Sequence, residues 1–194
     1  VPARVGDTVE FSCTAPRAIY TSSMVKPAYQ PQNAACAIML CEGYLGRELD
    51  HDALDASLMG CPTPGRFDVL GTDPLKLIDA CHNTQSCENF VSALDEIDPC
   101  VENRPTLLCA ALADKDVVGI VGVLVPAFPR VIVTQTDSDR ALPAEELAAL
   151  VDADKLAGVY PSVSEALAAF EAAGEPFVAA GTITLAGEVA GLLR

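Results

Sequence analysis

The sequence predicts an α/β protein whose larger part is a Rossmann-like domain, a mostly parallel sheet flanked by helices. Three observations carry that prediction. From Phe67 onward, short runs rich in Val, Ile and Leu alternate with longer stretches of helical character. The apolar run Leu75-Lys76-Leu77-Ile78 stops at Asp79 and turns at once into polar, cap-forming residues, which reads as strand, loop, helix. With 194 residues, the chain can bury one whole domain plus part of another.

Residues 1 to about 24 show strand character at Val5, Thr8, Val9 and Phe11, then at Ala18, Ile19 and Tyr20 after a turn containing Pro16. Two strands are too few to stand as a domain. The run Ala34 to Leu45 reads as an apolar helix ending near Gly46, with Asn33 as a candidate N-cap. A second helix is expected from Asp52 to Met59, with Leu54 and Leu58 one turn apart on one face. Cys61-Pro62-Thr63-Pro64-Gly65 then reads as a linker, because two prolines and a glycine stop either neighbour from continuing through it. Two domains are therefore expected, 1–62 and 63–194.

In the second domain, Phe67–Leu70 and Leu75–Ile78 read as strands, and the helix after Thr84 runs to about Ile97 with Asn83, Thr84 or Ser86 as its cap. Thr106–Ala111 is a buried strand, Val117–Leu124 a helix, and Arg130–Thr134 a strand. A helix opens at Pro143 with Glu145 and Glu146 favouring its amino end. Another runs from Val163 to Ala173 after a Ser162 cap, Pro176–Ala180 is the last strand, and a final helix spans about Leu185 to Leu193.

In an open α/β sheet, ligands bind beyond the carboxyl ends of the strands, which places Asp79, His82 and Asn83 at the mouth of a site. The same three residues equally suit a turn and a helix cap. Arg66, directly after the linker, offers a fork of donors suited to phosphate or ribose oxygens at a domain hinge, or a surface ion pair. Asp114-Lys115-Asp116 offers a positive charge at Lys115, or simply a solvated helix start with Asp116 as cap.

Composition excludes several classes. A net charge of −15, with twelve Lys and Arg scattered along the chain, excludes a nucleic-acid partner. No stretch approaches a membrane-spanning helix. Among eight cysteines there is no C-x-x-C pair and only two histidines accompany them, so no metal site is expected. Cys36, Cys41 and Cys109 sit inside apolar runs and read as reduced thiols acting as small hydrophobes. No G-x-G-x-x-G follows a strand and no G-x-x-x-x-G-K-[ST] occurs; Gly119 and Gly122 are a lone pair in an apolar run. Val1 stands where an initiator Met would, which reads as an excised piece, and no signal peptide precedes the first strand. The expected location is the cytoplasm.

Read in order, Pro64-Gly65-Arg66-Phe67, Asp79-Ala80-Cys81-His82-Asn83-Thr84, Asp114-Lys115-Asp116, Arg140-Ala141 and Gly181-Thr182 resemble the carboxyl-terminal part of the dihydrofolate synthase/folylpolyglutamate synthase family, Mur-type ATP-dependent amide ligases. That family's pattern is PGRF, D-x-A-H-N-P, DKD, an R-A step and a G-S step; Cys81, Thr84 and Thr182 depart from it. The segment Tyr29-Gln30-Pro31-Gln32-Asn33-Ala34 is similar to an H-Q-x-x-N-A helix start in the family's central domain, with Tyr29 in place of His. The resemblance implies that residues 1–62 are the tail of the central ATP-binding domain and 63–194 the glutamate-ligase domain.

It implies a reaction in which ATP activates a dihydropteroate or folate carboxylate as an acyl phosphate, and the amine of L-glutamate attacks it. Asn33 would contact adenine, Arg66, Asp79 and Lys115 the rest of the nucleotide, with Asp79 on the ribose hydroxyls. His82, Asn83 and Thr182 would hold the incoming glutamate, His82 by binding or orienting it where the chemistry occurs. For Arg140 the motif implies no role. The family's phosphate loop, modified lysine and Mg2+ ligands lie in segments this sequence does not contain, so the chain alone is expected to be inactive. A monomer acting on small molecules is implied. Two other readings stand beside this one: a sibling Mur-type ligase acting on a peptidoglycan precursor, against which D-x-A-H-N speaks, and a non-catalytic Rossmann-like binding module.

Overall fold

The computed structural model describes residues 8–25, 27 and 29–194; the expected strand residue Val5 lies outside them. The chain divides into two compact units, one up to Pro62 and one from Thr63 onward.

The first unit opens with an antiparallel hairpin, β1 (Val9–Thr14) and β2 (Ile19–Met24), with Val9 opposite Met24 and Thr14 opposite Ile19. Two helices follow, α1 (Gln30–Leu45) and α2 (His51–Gly60). Gly46 ends α1 at φ +69°, a left-handed conformation that suits glycine, and its N–H donates to the Glu42 carbonyl at 2.9 Å. Asp50 caps α2 by accepting from the Ala53 N–H at 2.8 Å. Cys13, Ala15, Tyr20 and Ile38 form the small core, with Leu49, Leu54 and Leu58 packed partly against it.

Two expectations are corrected here. Asn33 is not the N-cap of α1, because the helix starts a turn earlier, at Gln30, with Tyr29 before it and Pro31 in its first turn. Cys36 and Cys41 are exposed rather than packed as small hydrophobes. An apolar run fills a helix on all sides, and one face of α1 is enough for the core.

The second unit comprises β3 (Asp68–Thr72), β4 (Leu75–Ile78), α3 (Thr84–Ile97), β5 (Thr106–Cys109), α4 (Val117–Leu124), β6 (Val131–Thr134), α5 (Ala144–Ala148), β7 (Leu156–Tyr160), α6 (Val163–Ala173), β8 (Phe177–Ala180) and α7 (Ile183–Leu193). They build one six-stranded sheet in the order β3-β4-β8-β5-β6-β7. Only β3 runs antiparallel, as an edge hairpin with β4; every other pairing is parallel. Strands β5, β6 and β8 are buried at every residue, as parallel strands covered on both faces must be.

Side-chain alternation separates the two layers. Ile78, Leu108, Ile132, Phe177 and Ala179 share one core with Val163, Leu167 and Phe170 of α6 and Leu185 and Val189 of α7. Helices α3 and α4 pack against each other. Strand β7 is absent from the sequence reading, which passes from the helix at Pro143 straight to that at Val163. Its core, Leu156-Ala157-Gly158-Val159-Tyr160, has weak strand propensity at Ala157 and Gly158, and pairing with β6 creates it.

The last strand decides where a site can form. Strand β8 inserts between β4 and β5, pairing Ile78 with Ala179 and Cys109 with Ala180. Helices α3 and α4, which follow β4 and β5, pack on each other, whereas α7, which follows β8, packs with α6 in the other layer. Adjacent strands thus send the chain to opposite faces, the kind of switch point at which open parallel sheets bind ligands.

Candidate active site

Three loops meet at that switch point. After β4 comes Asp79 to Asn83, after β8 come Gly181 and Thr182, and after β5 comes the stretch from Ala110 to Asp116. Each runs into a helix capped by its own last residue. Asn83 accepts from the Ser86 N–H at 2.8 Å while the Ser86 hydroxyl accepts from the Asn83 N–H at 3.2 Å, a reciprocal capping box for α3. Asp116 accepts from the Gly119 N–H at 3.0 Å, and Thr182 from the Thr184 N–H at 3.4 Å. The positive ends of three helix dipoles therefore lie along one rim, an environment suited to anionic ligands.

Asp79 is the keystone of the first loop. It is 3% exposed; one carboxylate oxygen accepts from the Phe67 N–H and the other from the Cys81 N–H, both at 2.8 Å. The first bond reaches back to the Pro64–Phe67 turn, where Ala80 also donates to the Gly65 carbonyl at 2.7 Å. Gly65 has φ +69° and Phe67 φ +49°. Such a conformation is costly for a bulky residue and persists only where its surroundings dictate it. Here the Asp79 carboxylate and the packing of Phe67 on Phe90, ring centroids 5.7 Å apart, supply that constraint. The outcome is a rigid base for Arg66, which is half-buried and forms no ion pair with any described carboxylate.

His82 is half-buried, with Nδ1 at 3.0 Å from the Ala80 carbonyl and its N–H donating to the Ser86 hydroxyl at 3.0 Å. A carbonyl only accepts, so Nδ1 carries the proton and Nε2 is the ring nitrogen left for a ligand. Asn83 commits its carbonyl oxygen to the cap, which leaves its amide N–H group as the available donor. Thr182 is 1% exposed, and its hydroxyl lies 2.9 Å from that of Thr184.

The DKD segment joins the site through its last residue. Thr84, at the start of α3, donates to the Asp116 carboxylate at 3.1 Å, tying the amino ends of α3 and α4 together. A Cβ on Gly119 would collide with both the Asp116 carboxylate and the Thr84 hydroxyl, which explains a glycine that looked incidental in the sequence. Lys115 is exposed. Arg140, without a role from sequence, sits 3.6 Å from the Asp114 carboxylate, and its carbonyl accepts from the Ala113 N–H at 2.8 Å, so it braces this loop. Asp116→Ala is expected to cost about 1 kcal/mol of unfolding free energy in urea titration, the usual loss of a cap. A change under a few tenths would show that neither cap nor bridge matters.

Below the rim, Cys81, Cys87 and Cys109 are fully buried. Hydrogen bonding with Cys87, then burial, holds the Cys81 thiol well above its ordinary range, and burial first, then Cys87, pushes Cys109 up to about 12. All three are buried and serve as packing groups. Glu188 on α7 accepts from the Asp137 N–H at 2.8 Å, yet desolvation and the Asp137 carboxylate raise its pKa. A carboxyl raised on folding binds its proton more tightly in the native state, so stability falls as pH rises from the ordinary carboxylate range near about 4.3 through the raised value. Glu188→Gln should flatten that fall and raise stability at pH 7 by at most a few tenths of a kcal/mol, since solvent screens the site. Urea midpoints from pH 4 to 7 read it, and a midpoint that drops on substitution at pH 7 would contradict the assignment.

Of the residues singled out in the sequence, the structure gathers Arg66, Asp79, His82, Asn83 and Thr182 on adjoining loops, with Lys115 one loop away. Asn33 is in the other unit, exposed on the first turn of α1, its amide donating to the Gln30 side chain at 3.0 Å. Sequence reasoning missed Thr84 and Gly119 as partners of Asp116. A glycine three residues after an Asp that caps a helix is the signal that could have found them.

Comparison with known proteins sharpens this picture. The sequence pattern of the Mur ligase, glutamate ligase domain, family matches residues 65–187. A dihydrofolate synthase/folylpolyglutamate synthase of Mycobacterium tuberculosis is 35% identical over 125 residues, 62% of this chain and 25% of that protein. A probable bifunctional folylpolyglutamate synthase/dihydropteroate synthase of Haloferax volcanii is 32% identical over 125 residues, 64% of this chain and 14% of that one. Among solved structures, Mycobacterium tuberculosis folylpolyglutamate synthase complexed with ADP superposes with a TM-score of 0.86 at 25% identity, covering 99% of this chain and 46% of that chain. The chain thus spans less than half the length of these relatives.

Proposed function

The chain belongs to the Mur ligase family through its glutamate ligase domain, and from that premise we propose that it is the glutamate-ligase part of an ATP-dependent enzyme adding L-glutamate to dihydropteroate or to folates. The observation that carries the reading is the cluster at the switch point, where the PGRF turn, the Asp79–Asn83 loop and the Gly181-Thr182 step share one rim of helix amino ends. A site rich in N–H donors suits a nucleotide phosphate and a dicarboxylate amino acid.

The proposed roles follow from what each group has left to offer. Arg66 has an uncommitted guanidinium for the nucleotide, and Lys115 adds positive charge on the phosphate side. Asp79, whose carboxylate holds the loop through the Phe67 and Cys81 N–H groups, is assigned to the ribose hydroxyls, for which a carboxylate is a chemically suited acceptor. The acceptor carboxylate takes the terminal phosphoryl group of ATP and ADP leaves. The glutamate amine then attacks the acyl carbon and phosphate departs. Nε2 of His82 orients that amine, while the Asn83 amide and the amino end of α7 at Thr182 receive glutamate carboxylate oxygens. Asn33 is assigned to adenine, and the unit up to Pro62 to the tail of the central ATP-binding domain.

Among the described residues there is no group of three or more candidate metal ligands, so the residues present do not fit the Mg2+ the reaction is assigned, and its ligands are assigned to the part of the ligase outside this chain. The phosphate-cradling loop is assigned there too. No helix among the described residues is long and apolar enough to cross a membrane. We assign the enzyme to the cytoplasm as a monomer with small-molecule substrates and no nucleic-acid partner. The test is ATP- and folate-dependent incorporation of labelled glutamate by the full gene product. Activity lost on His82→Ala, with the circular dichroism unchanged, is the expected outcome; wild-type inactivity with dihydropteroate and every folate acceptor would overturn the reading.

A further inference from the structure

The sheet face under α6 and α7 carries a lysine among apolar residues. Lys76 stands two residues before Ile78 on β4, so its side chain leaves the same face, and it pairs in register with Phe177 at the start of β8. Ile78 and Phe177 belong to the core shared with α6 and α7. A lysine in such a position ordinarily carries its ammonium out to water or to a carboxylate. Lys76 is half-buried, and among the described residues it forms neither a hydrogen bond nor an ion pair.

Lys76 lines a cavity of about 200 Å³. The cavity is floored by Phe170 and Phe177, ring centroids 4.9 Å apart, and walled by Leu167 and Ala168 of α6 and Leu193 of α7. Glu171 and Glu175 also line it. Glu175 is committed to Arg130 at 3.4 Å, whereas Glu171 is exposed. All of this lies by the amino ends of β4 and β8, whereas Asp79 and Thr182 follow their carboxyl ends. The cavity is therefore separate from the candidate active site.

We propose that this cavity is a second ligand site, which takes a small monocarboxylate bearing one aromatic ring. The proposal goes beyond the ligase reading and does not depend on it. Size sets the body of the ligand. A cavity of roughly 150 Å³ holds benzene and drug-sized sites begin near about 300 Å³, so this one accommodates a single ring with a short tail. The two phenylalanine rings offer that ring edge and face contacts. Charge sets the head. A half-buried ammonium is costlier to leave unpaired than an exposed carboxylate, so Lys76 calls for an anion. Glu171 repels a second negative charge, which restricts the ligand to a monoanion.

The probe is phenylacetate, with about ten non-hydrogen atoms, and its control is phenethylamine, a similar body with a cationic head. Each is titrated onto the full gene product and followed by saturation-transfer NMR, with circular dichroism to check the fold of every variant. The expected result is saturable binding of phenylacetate with a Kd of about 1 mM or tighter, and binding of phenethylamine at least about tenfold weaker. Lys76→Met keeps an apolar stem and removes the charge, and it should weaken phenylacetate at least about tenfold. Ala168→Leu adds bulk to the cavity wall and should abolish binding. Saturating ADP and L-glutamate should leave the phenylacetate Kd unchanged. No saturable binding up to about 10 mM overturns the proposal, as does phenethylamine binding as tightly as phenylacetate. A phenylacetate Kd unchanged by Lys76→Met, or unchanged by Ala168→Leu, overturns it too, and so does displacement by ADP or L-glutamate, which places the probe at the active-site rim. If Ala168→Leu does not fold, Lys76→Met decides alone. Ligase activity enters none of these readouts, so failure here leaves the folate reading standing, and failure of the folate assay leaves this site standing.

Discussion

Gly181→Ala is expected to be the most damaging small substitution in the second unit, costing roughly 3 kcal/mol or more of unfolding free energy. Gly181 leaves β8 at φ +119°, a region essentially closed to L side chains, and its added Cβ would run into the Ala110 carbonyl oxygen of the neighbouring strand end. Neither obstacle can move cheaply, because β5 and β8 are paired along their length and buried. Gly174 is the comparison that isolates the steric part. It also has positive φ, +64°, at the end of α6, but a Cβ there would meet nothing within 4 Å. Gly174→Ala should cost only about 1 kcal/mol, the conformational penalty alone. Urea titrations of the two variants beside wild type decide the matter, and a Gly181→Ala protein within 1 kcal/mol of Gly174→Ala would refute the clash.

Asp79→Ala should be nearly as costly to stability and more informative about function. It removes the acceptors of the Phe67 and Cys81 N–H groups, both in buried surroundings, and each orphaned donor is worth about 1–3 kcal/mol. The Phe67 backbone at φ +49° then has only ring packing to hold it, so the Arg66 turn should loosen. Asp79→Asn separates two roles. Its single carbonyl oxygen can keep one of the two backbone bonds, so it should recover part of the stability while still lacking the full carboxylate that the proposed ribose contact requires. In the gene product we expect the KM for ATP to rise at least about tenfold in Asp79→Asn, the scale of one lost charge-assisted pair of hydrogen bonds. An Asn variant with the wild-type KM would confine Asp79 to holding the loop.

Which elements were legible in the sequence follows from how locally each is specified. Strands β5, β6 and β8 announce themselves because a parallel strand covered on both faces must be apolar at nearly every position, and β4 does so through Leu77 and Ile78 at its buried end. Helices α4 and α6 carry their own start signals in Asp116 and Ser162. Strand β7 does not, being an edge strand with Ala157 and Gly158 in its middle that owes its existence to β6. The start of α1 was misplaced because Asn33 is a good cap in isolation, whereas Pro31, fixed in φ, also opens a helix well and the chain begins it at Gln30. Cys36 and Cys41 read as core because composition records that a residue is apolar and not which way it faces.

The candidate site divides along the same line. Sequence alone determined the residue types at the strand ends, the class of fold that would gather them and the family they resemble, since motifs and apolar periodicity are properties of short segments. Only the tertiary structure decided that β8 lies between β4 and β5, that Asp79 spends its first hydrogen bonds on the Phe67 turn, and that Asp116, Thr84 and Gly119 interlock. Each of those is a contact between segments distant along the chain, where geometry selects among partners that a local pattern cannot distinguish.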